Sequence, residues 1–158
     1  MWLLCALEFW WTYKWEAQHG WCMKGLSDSN LQSMWRKACR TIHHNRCFVC
    51  GTTGALETHH YIRRRNLLTK YAWQNGFPSC AECHRHLHTK AGEQKITKWL
   101  AENGWLEYLH ERETSSKQYF VKHGITRNDY LLSIHKELKK ITGWLMAKDP
   151  ARKLITKQ

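Results

Sequence analysis

Two Cys-x-x-Cys pairs, Cys47/Cys50 and Cys80/Cys83, restrict the folds open to this chain more than any other feature of its sequence. A Cys-x-x-Cys turn places two sulfurs on one ion, and zinc binds four thiolates in a tetrahedron. We therefore predict one structural Zn²⁺ held by these four cysteines, in a reducing compartment. Such an ion adds directly to the folding stability of a small domain. The other cysteines lack this spacing and are given no role: Cys5, Cys22 and Cys39.

The charge of the chain favours a polyanionic partner. Lysine and arginine number 25 against 13 acidic residues, which gives a formal charge of +12 with histidine neutral. Nucleic acid is the commonest polyanion, and the alternative is a generally basic, solvated surface. The length of 158 residues suits one compact domain, or a small domain with a helical appendage, and argues against a two-domain enzyme.

Residues 1–26 form a leader that contains half of the ten tryptophans. The leader has no basic start and no cleavage site, and Glu8 interrupts its apolar run, which argues against a signal peptide. The run is also shorter than the roughly 20 residues that a spanning helix needs. We expect no membrane span and a cytoplasmic location. The leader is either an extension that function does not need, with an ordinary beginning at Met23, or an amphipathic helix packed on the core.

Three parts follow the leader: an N-terminal helix within 27–46, a metal-binding core at 47–90 and a helical region at 91–158. Apolar periodicity, capping residues and breakers predict the elements. They are a helix over Ser27–Ile42, a strand over Leu56–Ile62, a turn at Asn75–Pro78, a helix over about Ala81–Thr89, helical segments ending near Gly104 and Gly124, and a helix from Thr126 to about Lys148 with a capping box at Thr126 and Asp129.

The histidines near the second cysteine pair form a possible second metal site. In a helix, His84 and His88 are four residues apart and share one face, while His86 points away from them. A third ligand has to come from His59 or His60 on the predicted strand, where neighbouring side chains point to opposite faces. One of these two histidines could bind the metal only if the backbone bends there, or if the other histidine reaches the water from the side.

The order of these motifs resembles that of the HNH endonuclease family: Cys-x-x-Cys, Leu-Glu-Thr-His-His, an asparagine, then Cys-x-x-Cys-His-x-x-x-His. The resemblance covers Cys47 to His88 and implies a β-hairpin and a helix that hold one metal ion. It implies that His59, His84 and His88 bind a catalytic divalent cation, Mg²⁺, Mn²⁺ or Zn²⁺. It also implies that His60 is the general base and that Asn75 orients it, with the cysteines holding a separate structural zinc.

A narrower resemblance covers the segment His60–Tyr71, which is similar to the Rap (NinG) recombination endonucleases of lambdoid phages. It implies branched DNA as the substrate and a phage or mobile-element origin. His59 departs from that pattern, because a glycine is usual there, and His84 and His88 fit the wider HNH pattern better.

A basic segment directly follows the presumed base and is placed to hold the DNA backbone by phosphate contacts: Arg63, Arg64, Arg65 and Lys70. The alternative is an exposed basic loop. Tyr61 and Trp73 are expected to pack in the hairpin or core rather than to stack on bases.

These observations predict an α+β fold: a small zinc-stabilised ββα-metal core with flanking helices. They predict a metal-dependent DNA endonuclease. The alternative is a zinc-ribbon DNA-binding protein that does not cut. The presence of His60, His84 and His88 together favours the nuclease, because a pure binding module needs no second metal face.

Overall fold

A computed structural model describes residues 26–115 and 118–148, without the side chains of 144–148. All of the predicted leader except Leu26 lies outside the described residues. The elements are, in chain order, α1 (Asp28–Ile42), β1 (Glu57–His60), α2 (Leu67–Lys70), the 3₁₀ helix η1 (Trp73–Asn75), β2 (Gly76–Ser79), α3 (Ala81–Leu87), α4 (Lys90–Glu102), α5 (Leu106–Thr114), α6 (Tyr119–His123) and α7 (Arg127–Lys148). Helices around a two-stranded antiparallel sheet confirm the α+β class.

Helix α1 follows from its sequence. Ser27 caps it, because the Ser27 hydroxyl accepts a hydrogen bond from the backbone N–H of Asn30 at 3.3 Å. The buried stripe falls at helical spacing and comprises Leu31, Trp35, Ala38 and Cys39. This stripe packs against α7, and α1 also contacts both strands of the sheet.

The sheet differs in two respects from the sequence prediction. Residues 76–78, predicted as part of a turn, begin β2, which pairs antiparallel with β1 so that His60 lies opposite Gly76 and Thr58 opposite Pro78. Proline is tolerated because each strand of a two-stranded sheet is an edge strand. The Pro78 carbonyl accepts a hydrogen bond from the backbone N–H of Phe48 at 2.8 Å, which ties β2 to the first cysteine turn. Strand β1 is shorter than predicted.

Two apolar clusters lie on either side of the site. The first joins α1, α2 and α7 through Trp35, Leu68, Tyr130 and Leu138. The second joins β2 to α3, α4 and α5, and its buried residues include Phe77, Leu87, Ile96, Leu100 and Leu109. Every one of these side chains is at most 3% exposed.

The helices after the core match the predicted glycine stops. Gly104 has φ +72°, and Gly124, with φ +59°, ends α6 in the left-handed conformation that glycine adopts without strain. The predicted capping box of α7 is present, because the Thr126 N–H donates to the Asp129 carboxylate and the Asp129 N–H donates to the Thr126 hydroxyl. The segment predicted to end at Gly124 is divided into α5 and α6. Within the described residues, none of the helices is both long and apolar enough to cross a membrane.

Candidate metal centres and nucleic-acid cleft

The four cysteines of the two Cys-x-x-Cys turns come together. The sulfurs of Cys47, Cys50, Cys80 and Cys83 lie within 4.8 Å of one another. The Cys50 and Cys80 sulfurs are 3.9 Å apart, close to the separation of about 3.8 Å expected for two thiolates on one tetrahedral zinc. The first turn is closed by hydrogen bonds from the Gly51 N–H to the Cys47 carbonyl and from the Cys47 N–H to the Thr52 carbonyl.

The electrostatics of this cluster suit a cation. Burial opposes ionisation of the Cys47 thiol, but backbone N–H groups of Cys50, Cys80 and Val49 lower its pKa to about 6. Burial and the neighbouring sulfurs raise the pKa of Cys83 to about 12. Four sulfurs this close cannot all ionise without a positive charge among them. The donor set and spacing therefore fit Zn²⁺.

Three histidines form a second cluster. The candidate ligand atoms of His59, His84 and His88 lie within 4.8 Å of one another. The His59 ring centroid is 5.4 Å from that of His84 and 4.6 Å from that of His88. His59 is buried, and burial, followed by the charges of His88, His84 and His60, lowers its pKa to about 4. His59 is therefore neutral at pH 7, the form in which imidazole binds a metal. His86 is exposed on the other side of α3.

Sequence reasoning missed the carboxylate at this cluster. One Glu57 oxygen lies 2.5 Å from Nδ1 of His84. Glu57 and His59 are two residues apart on β1, so both side chains leave the same face of the strand, toward α3. The strand alternation, applied backward from His59, was the signal that could have found Glu57. A carboxylate beside a ligating imidazole holds its orientation and raises its basicity.

His60 leaves β1 on the opposite side and stacks on Trp35 of α1. The two ring centroids are 3.9 Å apart, at 18° between planes. The Nε2 atom of His60 lies 3.0 Å from the Lys70 carbonyl oxygen. Burial lowers the pKa of His60 to about 4, assisted by the charges of Arg64, Arg36 and Lys70 and opposed by the hydrogen bond to the Lys70 carbonyl. His60 is therefore neutral at pH 7.

Asn75 holds the loop that follows His60. Asn75 is fully buried, and its amide group donates to the carbonyls of Ile62 and Thr69, each at 2.9 Å. Its side-chain oxygen accepts from the Ile62 N–H at 2.6 Å. These bonds close both ends of the loop and fix the backbone near Lys70, whose carbonyl contacts His60.

His60 and the three-histidine cluster line the same cleft, of about 570 Å³ and here called the histidine cleft. Its lining includes residues from both faces of β1 and from the neighbouring helices α1 and α3. Its basic rim contains Arg63 and Arg64 from the predicted DNA-binding segment, and Arg36 and Arg40 from α1. Sequence reasoning assigned no DNA-binding role to the two arginines of α1. The buried Nε atom of Arg40 has no hydrogen-bond partner among the described residues.

The other members of the predicted DNA-binding segment lie elsewhere. Arg65 lines a different cleft. The Lys70 ammonium forms an ion pair with Asp28, which already neutralises part of its charge. Trp73 packs on the first apolar cluster, as predicted. Tyr61 packs on the second cluster and also lines the cleft that contains Arg65.

The comparison with family models agrees with this geometry. The model described as "HNH endonuclease" matches residues 47–90. The match covers well under half of the chain, but it includes both clusters, His60 and Asn75. The comparisons with curated proteins and with solved structures gave no match. Residues 47–90 are thus similar to an HNH endonuclease domain, and α1, all of α4 except Lys90, and α5–α7 lie outside the match.

Proposed function

We propose that this chain is a metal-dependent DNA endonuclease that hydrolyses phosphodiester bonds in the histidine cleft. The observation that carries the proposal is the cleft itself: a neutral, oriented histidine and a three-histidine cluster lie together under four arginines. Phosphodiester hydrolysis needs a general base that deprotonates water, a cation that stabilises negative charge on the phosphate oxygens, and groups that hold the DNA backbone. Each requirement has a candidate residue in this cleft.

His60 is the proposed general base. With a proton on Nε2 donated to the Lys70 carbonyl, Nδ1 keeps its lone pair and takes the proton from water. Its lowered pKa keeps it in the proton-accepting form at neutral pH. The His60 ring is fixed by its stacking on Trp35 and by the loop that Asn75 holds. Less orientational freedom therefore has to be lost during the reaction.

The phosphate is held by the basic rim and by the histidine cluster. Arg36, Arg40, Arg63 and Arg64 neutralise backbone charge without reading sequence. A divalent cation on His59, His84 and His88 would stabilise the negative charge of the phosphate, and three neutral ligands leave its own charge available for that purpose. The four cysteines hold the proposed structural Zn²⁺. This division of roles favours a nuclease over a zinc-ribbon protein that only binds DNA.

The proposal extends to branched recombination DNA as substrate and to a phage or mobile-element origin. Its support is the resemblance of His60–Tyr71 to the Rap (NinG) endonucleases. A synthetic four-way junction and a linear duplex of the same strands separate this extension from the nuclease activity. Faster cutting of the junction supports it, and equal rates contradict the extension alone.

The test of the core proposal is cleavage of supercoiled plasmid by the full chain, with Mg²⁺, Mn²⁺ or Zn²⁺. His60→Ala is expected to slow single-turnover cleavage by roughly 10²–10⁴-fold, the usual cost of a lost general base, while DNA affinity stays unchanged. His86→Ala is the matched control, because His86 lies on α3 but is exposed and outside the cluster. Normal cleavage by His60→Ala would refute the assignment of the base.

A further inference from the structure

A second cleft, of about 550 Å³, lies beside the histidine cleft and is not used by the proposed mechanism. It is built from the segment after β1 and from α4 and α5. Its lining includes Tyr61, Arg63, Arg65, Glu93, His110 and Glu113. The last three of these lie outside the residues matched by the HNH family model, so this cleft belongs to the particular architecture of this chain.

Two rings stand nearly parallel in this cleft. The ring centroids of Tyr61 and His110 are 6.4 Å apart, with 20° between the planes. A flat nucleobase between two rings needs about 3.5 Å on each side, roughly 7 Å in all. Tyr61 is held in place, because its hydroxyl lies 3.2 Å from the Thr97 hydroxyl. His110 is exposed, so a change of its side-chain rotamer can set the plane-to-plane gap that a base needs.

The charges around the two rings suit a nucleotide with its base inside and its phosphate outside. Arg63 and Arg65 are exposed and supply cations for a phosphate. The Glu93 and Glu113 carboxylates accept hydrogen bonds from N–H groups of a base and repel a phosphate. A hydrogen bond stabilises the wall of this cleft. The Asn66 side chain donates to the Glu113 backbone carbonyl at 3.1 Å, which connects the start of α2 to α5.

We propose that this second cleft binds an unpaired nucleotide of the DNA substrate, with the base stacked between Tyr61 and His110. The proposal rests on the DNA binding proposed above, but not on cleavage. The substrate is the favoured source because Arg63 lines both clefts, so a strand held at the histidine cleft continues directly into the second. A base inside a duplex cannot enter, since both of its faces are already stacked.

Binding is measured with the full chain carrying His60→Ala, so that the DNA stays intact. Two labelled duplexes differ only in one additional unpaired nucleotide, and fluorescence anisotropy gives their dissociation constants. The bulged duplex is expected to bind more tightly. His110→Ala should reduce this preference by roughly 5- to 20-fold, within the range found for base–aromatic stacking. His110→Phe keeps a ring and should restore it. His123→Ala, which removes an exposed histidine from α6, should leave it unchanged.

A photocrosslink identifies the stacking partners directly. An unpaired 5-iodouracil in the bulge is expected to crosslink to Tyr61 or His110 on irradiation. Equal affinity for the two duplexes, no effect of His110→Ala, or a crosslink only to residues outside the second cleft would overturn the proposal. Displacement of the bulged DNA by a free deoxynucleoside monophosphate at equal concentration would also overturn it, because the site would then bind mononucleotides. Failure to bind either duplex would refute the proposed DNA binding itself.

Discussion

His60 depends on a glycine for its position. Gly76 lies opposite His60 in the sheet, and a Cβ at Gly76 would overlap the Cys39 sulfur and the ring of Trp35. Trp35 is already held by a 2.8 Å hydrogen bond from its indole N–H to the Ala72 carbonyl, so it has little room to move. The absence of a side chain at position 76 therefore allows the Trp35–His60 stack.

Replacing Gly76 by alanine tests this dependence. Gly76→Ala is expected to lower the free energy of unfolding by about 1–3 kcal/mol, the range for overpacking in a buried site, and to slow cleavage by displacing Trp35 from His60. The control is Gly143→Ala, in α7, where a Cβ meets nothing within 4 Å and helix propensity predicts a gain of up to about 1 kcal/mol. Urea unfolding and single-turnover cleavage measure both effects. Unchanged cleavage by a folded Gly76→Ala protein would contradict the dependence.

A half-buried histidine away from both clefts should make stability depend on pH. His43 packs against the rings of Phe48, Phe77 and Trp99. Burial, and then the charge of His44, lowers its pKa from 6.5 to about 4. Between these values the unfolded chain binds a proton that the folded chain does not, so stability is fully present above pH 6.5 and falls as the pH drops toward 4. The loss is at most about 3 kcal/mol.

The measurement is urea unfolding at several pH values for the wild type and for His43→Gln, which cannot gain the charge. The variant is expected to lose less stability between pH 7 and pH 5. Acid also protonates the cysteines, but in both proteins alike, so the difference between the two slopes isolates His43. Identical slopes would mean that His43 is already solvated in the folded state.

At the scale of single residues, spacing was the informative part of the sequence. Pairs at i, i+3 and i, i+4 predicted which cysteines and histidines come together, because these distances are fixed within one turn. Side-chain contacts between segments that are distant in sequence had no comparable spacing pattern. The Trp35 ring beneath His60 and the Arg40 side chain in the histidine cleft depend on how α1 packs on the sheet, and that packing is not encoded in any local repeat.

Helix α3 is the element that joins the two candidate metal centres. Cys83 and His84 are consecutive on this helix, yet they belong to different clusters. The cysteine centre fixes the start of α3, and the helix then carries His84 and His88 to His59. Loss of the structural zinc is therefore expected to disturb the histidine cluster, whereas the reverse is not expected.

The two centres should respond differently to mutation. Cys47→Ser is expected to release zinc and lower stability strongly, because a closed structural site contributes directly to folding. His88→Ala, which changes an exposed ligand, is expected to leave a folded protein that keeps its structural zinc but lacks activity. Zinc content, circular dichroism and cleavage distinguish the two results. Equal zinc loss and equal unfolding in both variants would show that the boundary between the centres is misplaced.

Helix α1 should contribute to DNA binding although it lies outside the HNH match. Arg36 and Arg40 are one turn apart and both line the histidine cleft. Replacing both by glutamine is expected to weaken DNA binding and to reduce the slope of log K against log salt by about two, one unit for each lost phosphate contact. Lys37→Gln is the control, because Lys37 is exposed and does not line the cleft. A salt titration with an unchanged slope would exclude α1 from the interface.

At the scale of elements, sequence signals within a few residues predicted where helices begin, but the pairing of the two strands was not predicted. The Ser27 cap and the Thr126–Asp129 box lie within a few residues of the helices they start, so the sequence predicted both. Strand β2 was missed because asparagine, glycine and proline together are typical of a turn. Its pairing with β1 and its tie to Phe48 are contacts between distant segments, and these decide the conformation there.

The whole molecule is more interdependent than its division into a leader, a helix, a core and a helical region implies. Trp35, from the first apolar cluster, covers His60 of the matched segment 47–90. Phe77 and Leu87 of that segment pack in the second cluster with Ile96, Leu100 and Leu109 from α4 and α5. The matched segment therefore lacks a complete apolar core of its own, and both flanking regions supply part of it.

The last prediction compares two shortened chains. A fragment of residues 47–90 with zinc is expected to lack dispersed methyl resonances and cleavage activity. The fragment exposes Phe77 and Leu87 and loses the stacking of Trp35 on His60. The core that remains around the four cysteines is too small to be stable alone. A chain beginning at Met23 keeps every described element, so it is expected to fold and cut DNA as the full chain does. NMR spectra and plasmid cleavage of both proteins test this. A well-folded, active 47–90 fragment would show that the flanking helices serve binding alone, whereas aggregation of the Met23 chain would show that the leader belongs to the core.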